Sequence, residues 1–255
     1  MLFRSGIGPG PAAWRTPEAT DALRDASDVV GYGLYLDLVA DVTAGKTLHS
    51  SGLGNEEDRV RQALDLAAAG KRVALISSGD AGIYGLATLA FELIARGQTP
   101  GWSRIEIAVC PGLSALQAAA ARAGAPLGHD FAAISLSDLL TPWPVIEQRL
   151  HAAAAADFVL ALYNPASQRR RSQLDRARDI LLAARPADTP VVLARNLGRD
   201  GEQVEIVRLA DDWAPRVDML TLVLIGSSAT RRVDAGGRAW AYTPRGYAAK
   251  GAAAK

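Results

Sequence analysis

Residues 72–85 read RVALISSGDAGIYG, a run of β-branched and aliphatic residues that breaks at once into a glycine-rich, acid-bearing turn. An apolar run without alternating polar residues fits a strand buried on both faces, as in the parallel sheet of an α/β protein. In such sheets ligands bind beyond the carboxyl ends of the strands, which is where Ser77-Ser78-Gly79-Asp80 opens. Its glycines free backbone N–H and C=O groups for polar recognition, Asp80 adds an acceptor, and Ile83 and Tyr84 can wall an apolar or aromatic group. A carboxylate here also suits a helix N-cap.

Working outward, apolar runs and helical stretches alternate in both directions. Thr16-Pro17-Glu18 supplies an N-cap, a proline at the first helical position and an acid in the first turn, so a helix runs toward Ser27. A short strand at Val29-Val30 follows, then a helix from Asn55-Glu56-Glu57 to near Gly70. Beyond the opening strand, a helix is expected from about Tyr84 to Arg96, a strand over 105–109 and a helix after Pro111-Gly112. The Pro/Gly content rises around 124–130, which sets the expected domain boundary between 1–124 and 125–255. The second half holds strands near 132–135, 158–163, 191–194, 203–207 and 220–225, the last three close enough to pair antiparallel. From Thr230 onward little apolar periodicity is visible, and the terminal Ala-Lys stretch reads as a loose tail.

The 255 residues carry 28 Lys+Arg against 27 Asp+Glu, a net charge of +1, and are 49% hydrophobic. This excludes disordered and disulfide-scaffold classes and leaves no long-range attraction to nucleic acid or membrane surfaces. Cys110 is the only cysteine, so neither an intrachain disulfide nor a cysteine-rich metal cluster forms. His49, His129 and His151 show no ligand spacing, and no metal is expected. Neither a signal peptide nor a membrane span is read, which places the protein in the cytoplasm.

Further motifs gather at strand ends. Gly6-Ile7-Gly8-Pro9-Gly10 lets backbone approach a ligand, but it is no dinucleotide fingerprint: Pro11 stands where the pattern breaks, and Val30 is followed by Gly31-Tyr32 with no acid. Cys110-Pro111-Gly112-Leu113-Ser114-Ala115 repeats the strand, turn, helix position, with Ser114 either a cap or a donor to a ligand. Gly128-His129-Asp130-Phe131 leads into Ala132-Ala133-Ile134-Ser135-Leu136-Ser137-Asp138, which collects polar groups before Thr141-Pro142-Trp143. Ala161-Leu162-Tyr163-Asn164-Pro165 ends a buried strand. The arginines near such ends, Arg15, Arg169 to Arg171, Arg195 and Arg199, are of the type that pairs bidentately with substrate carboxylates.

Taken in order, GIGPG with Thr16 beyond it, SSGDAGIYG, CPGLSA, ISLSDLLTPW and ALYNP resemble the tetrapyrrole methylase family over about residues 3 to 229. The resemblance implies two α/β domains with S-adenosylmethionine bound between them, and a homodimer. ISLSDLLTPW, with GHDF before it and ALYNP after it, is similar to members that methylate precorrin-3B at C(17) with ring contraction to precorrin-4 in cobalamin biosynthesis. Carried over by position, Ser78, Gly79, Asp80, Ile83, Ser114, Ala115, Asn164 and Leu197 are expected to bind the cofactor. Gly8, Pro9, Gly10, Arg15, Ser135 and Ser137 are expected to face the substrate. Ring contraction gains from a base, for which His129, Asp138 and Asp80 are the candidates. Competing readings are methylation of another carbon, such as C(11) of precorrin-4, a dinucleotide-dependent oxidoreductase, and a non-catalytic tetrapyrrole carrier.

Overall fold

The computed structural model describes residues 1–167 and 170–247. Arg169 and the expected tail beyond Tyr247 lie outside the described residues. The chain divides into two compact units, Met1–Ala115 and Leu116–Lys255. The division falls before the expected boundary at 124/125, because the helix expected to close the first domain leads directly into a strand that pairs inside the second.

The first unit contains β1 (Leu2–Gly6), α1 (Pro17–Asp25), β2 (Asp28–Tyr32), α2 (Gly33–Asp37), β3 (Thr47–Ser51), α3 (Glu56–Ala68), β4 (Val73–Ser77), α4 (Leu86–Ala95) and β5 (Ile107–Cys110). The strands form one sheet in the order β3-β2-β4-β1-β5, and every pairing is parallel. The opening run behaves as its composition requires, with β4 buried along its whole length. Val73 and Leu75 face a core shared with Val60, Leu64 and Leu93 of α3 and α4, while Ala74 and Ile76 face Leu23 and Leu36 of α1 and α2. Thr16 caps α1 by accepting the Ala19 N–H at 3.1 Å. β3 was not expected, since TLHSS is short, polar and half-exposed. α4 starts two residues late because Tyr84 takes a left-handed φ of 54°.

The second unit contains α5 (Ala115–Ala123, beginning at the division), β6 (Gly124–Ala125), β7 (Phe131–Ser135), α6 (Trp143–Ala155), β8 (Val159–Tyr163), α7 (Ser172–Ala184), β9 (Pro190–Arg195), β10 (Gln203–Arg208), β11 (Thr221–Ile225), β12 (Arg231–Ala235) and β13 (Arg238–Tyr242). Its main sheet has the order β10-β9-β11-β8-β7, with β9, β10 and β11 pairing antiparallel as expected and β7 parallel to β8. Ile146, Leu150, Leu174 and Leu181 of α6 and α7 pack on Leu160, Leu162, Leu193 and Val223 of this sheet, around the fully buried Trp213. β12 and β13 form a hairpin across Gly236-Gly237, and β13 pairs with β6. No strand was expected after Thr230, where the sequence shows little apolar periodicity.

Candidate functional site

In the first unit, β4, β1 and β5 are neighbours and all run the same way, so the loops leaving their carboxyl ends meet. The contact is backbone to backbone. The Gly8 N–H donates to the Gly79 carbonyl at 3.1 Å, and the Ile7 N–H donates to the Ser77 carbonyl at 3.0 Å. A Cβ on Gly112 would stand 2.2 Å from the Gly79 oxygen and 2.7 Å from the Gly6 carbonyl carbon, so only glycine lets the three loops close. Gly79 is glycine for a different reason. Its φ is +72°, while a Cβ there would meet nothing nearer than the Ala115 nitrogen at 3.8 Å. A Cβ would therefore sit in ordinary contact with Leu113, Ser114 and Ala115, and it is the backbone conformation that calls for glycine.

Asp80 is not the N-cap of α4; that position is Gly85. Its carboxylate instead accepts two backbone N–H groups, Gly82 at 2.8 Å on Oδ1 and Gly112 at 2.9 Å on Oδ2. One acid thus clips the β4 loop to the β5 loop. The Leu86 N–H at the helix start donates to the Ser77 hydroxyl at 3.3 Å, and Thr16 donates its hydroxyl to the Pro111 carbonyl at 3.0 Å. Ile83 and Tyr84 remain exposed beside this cradle, and Ser114 is buried at the start of α5. Cys110 is buried as well, and burial pushes its thiol pKa up.

In the second unit, β7 and β8 are parallel, and β8 and β9 are both antiparallel to β11. The carboxyl ends of β7, β8 and β9 therefore share one side, which brings Ser135, Ser137, Asp138, Asn164 and Leu197 to the same end. Asn164, at a left-handed φ of 48°, donates its side-chain amide to the Ser135 hydroxyl at 3.0 Å, and the Ser137 N–H reaches the same oxygen at 3.3 Å. Asp138 accepts from Gln173 Nε2 at 3.0 Å. Leu139 and Leu140, which follow it, are 88% and 98% exposed. Leu197 is buried.

His129 is not part of this group. It precedes β7 while Asp138 follows it, so the two candidate bases are separated by the length of a five-residue strand, on the order of 15 Å. His129 Nδ1 accepts the Asp130 N–H at 2.8 Å.

The arginines expected to receive substrate carboxylates are largely committed within the protein. Arg15 is buried and forked onto Asp41, at 3.1 and 2.5 Å, with its Nε on the Thr20 hydroxyl; this pairing holds the Asp41 carboxyl below its ordinary range. Arg195 donates to Asp218 at 2.8 Å. Arg170 points inward to backbone carbonyls, while Arg171 is exposed at the N-cap of α7. Sequence periodicity carries no signal for these partners, which come from distant segments. Nor does it show the paired exposed leucines, which read in sequence as ordinary apolar residues before a helix. Among the described residues no group of His, Cys, Asp or Glu side chains is placed to hold a metal, and no helix is long and apolar enough to cross a membrane.

Comparison with known proteins gives a consistent set of relatives. Residues 5–211 match the family Tetrapyrrole (Corrin/Porphyrin) Methylases. A probable cobalt-factor III C(17)-methyltransferase of Salmonella typhimurium is 48% identical over 248 residues, covering 97% of this chain and 99% of that protein. A precorrin-3B C(17)-methyltransferase of a Sinorhizobium species is 44% identical over 97% of both chains. The crystal structure of the methyltransferase CobJ superposes with a TM-score of 0.88 at 42% identity, covering 95% of this chain and 99% of that one.

Proposed function

The chain belongs to the tetrapyrrole methylases, and from that membership we propose that it is an S-adenosylmethionine-dependent methyltransferase acting at C(17) of precorrin-3B. Ring contraction to precorrin-4 in cobalamin biosynthesis accompanies the transfer. The observation that carries this reading is the meeting of the three glycine loops at the carboxyl ends of β1, β4 and β5, in a chain related over nearly its full length to named C(17)-methyltransferases.

The residues present fit the cofactor. Its amino acid and ribose portions need close approach to backbone, which the small-residue loops at Gly8, Pro9, Gly10, Ser78, Gly79, Ser114 and Ala115 would allow. The exposed side chains of Ile83 and Tyr84 suit a flat aromatic base. Asp80 holds the cradle in shape, and from the family resemblance alone Asn164 and Leu197 are proposed as cofactor contacts too. When bound, S-adenosylmethionine supplies an electrophilic methyl group on a sulfonium sulfur.

The protein's own part is to orient and to shield. An electron-rich carbon of a reduced tetrapyrrole is already nucleophilic, so no covalent protein nucleophile is needed and positioning supplies most of the rate. Ser135 and Ser137 would orient the substrate through hydrogen bonds, and Leu139 and Leu140 would cover part of the apolar macrocycle. Asp138, oriented by Gln173 at the same end, is the base proposed to take the proton from the substrate hydroxyl during contraction. His129, at the far end of β7, is not assigned that role.

We place the protein in the cytoplasm as a homodimer, without nucleic-acid or membrane partners. The family resemblance supports the dimer, and the net charge of +1 supports the absence of nucleic-acid and anionic-membrane partners. The purified protein is tested with labelled methyl donor and either metal-free precorrin-3B or its cobalt-bearing counterpart, with the product identified by mass and NMR. Methylation at C(17) is expected with one of the two. Methylation at another carbon, or tight dinucleotide binding with no binding of S-adenosylhomocysteine, would overturn the proposal.

A further inference from the structure

The chain leaves β8 through Asn164-Pro165, and the Ser167 N–H donates to the Arg170 carbonyl at 2.8 Å. The Arg170 side chain turns inward, where only 10% of it is exposed. There the guanidinium reaches two loops at once. Nη1 donates to the Leu136 carbonyl at 2.8 Å, in the segment leaving β7, and Nη2 donates to the Asn164 carbonyl at 2.8 Å, in the segment leaving β8. Nε stands 3.8 Å from Asp138 Oδ1, whose other oxygen is taken by Gln173.

Each of these contacts adjoins a residue proposed to meet substrate or cofactor. Leu136 lies between Ser135 and Ser137. Asn164 holds a left-handed backbone, so fixing its carbonyl also fixes the direction of the amide that reaches Ser135. A planar fork with several donors spans two such acceptors, whereas an ammonium is a point charge on a flexible stem. With Nη1 and Nη2 already committed to backbone, Arg170 is poorly placed to receive substrate carboxylates. Burial lowers its pKa, and the nearby Asp138 charge opposes that shift.

We propose that Arg170 is a positioning residue, which locks the exit loops of β7 and β8 together so that Ser135 and Asp138 toward the tetrapyrrole, and Asn164 toward the cofactor, are held in one fixed arrangement. The inference rests on the reading that this end of the second unit receives the substrate. Its test compares Arg170→Lys and Arg170→Gln with the parent full-length protein, by steady-state methyl transfer and by backbone hydrogen exchange. Both variants are expected to lose about tenfold or more in kcat. Exchange should rise in segments 136–138 and 163–166 while the Gly79 and Gly112 loops stay as protected as in the parent.

If Arg170→Lys keeps parental kcat and loop protection while Arg170→Gln raises only the tetrapyrrole KM, in a salt-dependent way, the residue is a charge partner of the substrate and the brace is overturned. A lower melting temperature with unchanged kcat would overturn it equally, by showing a purely structural role. Should Arg170→Gln fail to fold, Arg170→Lys decides. If the parent itself transfers no methyl group, the site reading falls, and the exchange measurement still decides whether the guanidinium holds the two loops together.

Discussion

Asp80 shows how far a residue's chemistry depends on what folds against it. In sequence it is an acid on a loop tip, open to a role as ligand contact or helix cap, and its removal would be expected to leave the fold intact. In the structure its two oxygens hold Gly82 and Gly112, the second belonging to a different loop. Removing the carboxylate leaves the part-buried Gly112 N–H short of a partner, which costs on the order of 1 kcal/mol, while water can take its place at the exposed Gly82 N–H. Asp80→Ala is therefore expected to lower the melting temperature and also to weaken S-adenosylhomocysteine binding by about tenfold, because the cradle loses its shape. Asp80→Asn, which keeps one acceptor oxygen, should fall between variant and parent on both measures. Calorimetric titration alongside thermal unfolding checks this, and a stability loss with parental affinity would show that the acid serves the loops alone. The glycines and Asp80 were legible from their place after β4. The clip to Gly112 was not, because nothing in a local pattern says which distant N–H an acid will meet.

At the level of elements, Asp28 ties the opposite end of the first sheet together. It begins β2, is only 2% exposed, and accepts from Lys71 just before β4, from His49 on β3 and from Ser27, each at 2.8 Å. Burial alone would raise its pKa, but the hydrogen bonds from Lys71, His49 and Ser27, with the Lys71 charge, outweigh it and bring the value from 3.8 down to about 2. A carboxyl whose folded pKa is depressed contributes stability above its unfolded pKa and loses it as pH falls through the folded one. About 2 kcal/mol is therefore expected to disappear between pH 5 and pH 2. Urea unfolding over that range should show the loss, and Asp28→Asn should flatten this part of the profile while lowering stability at pH 7. The same end explains the missed β3, a polar edge strand with little periodicity of its own that is fastened through His49. The β12–β13 hairpin escaped notice for a related reason. Its strands are mostly exposed and lack an apolar face, and Gly236-Gly237 was the one local signal.

Across the molecule, a nearly neutral chain must hold a substrate that carries several carboxylates. The net charge is +1, and Arg15 and Arg195 are paired with acids while Arg170 is turned onto carbonyls. Recognition should then depend more on shape and apolar contact than on long-range attraction. Raising salt from 50 to 500 mM shortens the screening length several-fold, yet the tetrapyrrole KM is expected to change by less than about threefold. Replacing both Leu139 and Leu140 with Asp should raise that KM by about tenfold or more, since burying a leucine side chain contributes about 1.5–3 kcal/mol. Steady-state kinetics across salt concentrations measures both effects. A steep salt dependence with an unaffected leucine variant would return recognition to the charged groups.

By itself the sequence determined the α/β class, the position of the glycine loops after β1, β4 and β5, and the family. Those properties are written in local order: apolar runs that must be buried, glycines where backbone must turn, and motifs in a characteristic succession. The tertiary structure alone decided which charged groups are spent internally, that His129 and Asp138 stand at opposite ends of β7, and that Arg170 joins two loops. A buried charge or polar group takes whichever partner the packed chain brings within hydrogen-bond reach. That partner is set by strand order and loop paths, which no single segment of the sequence contains.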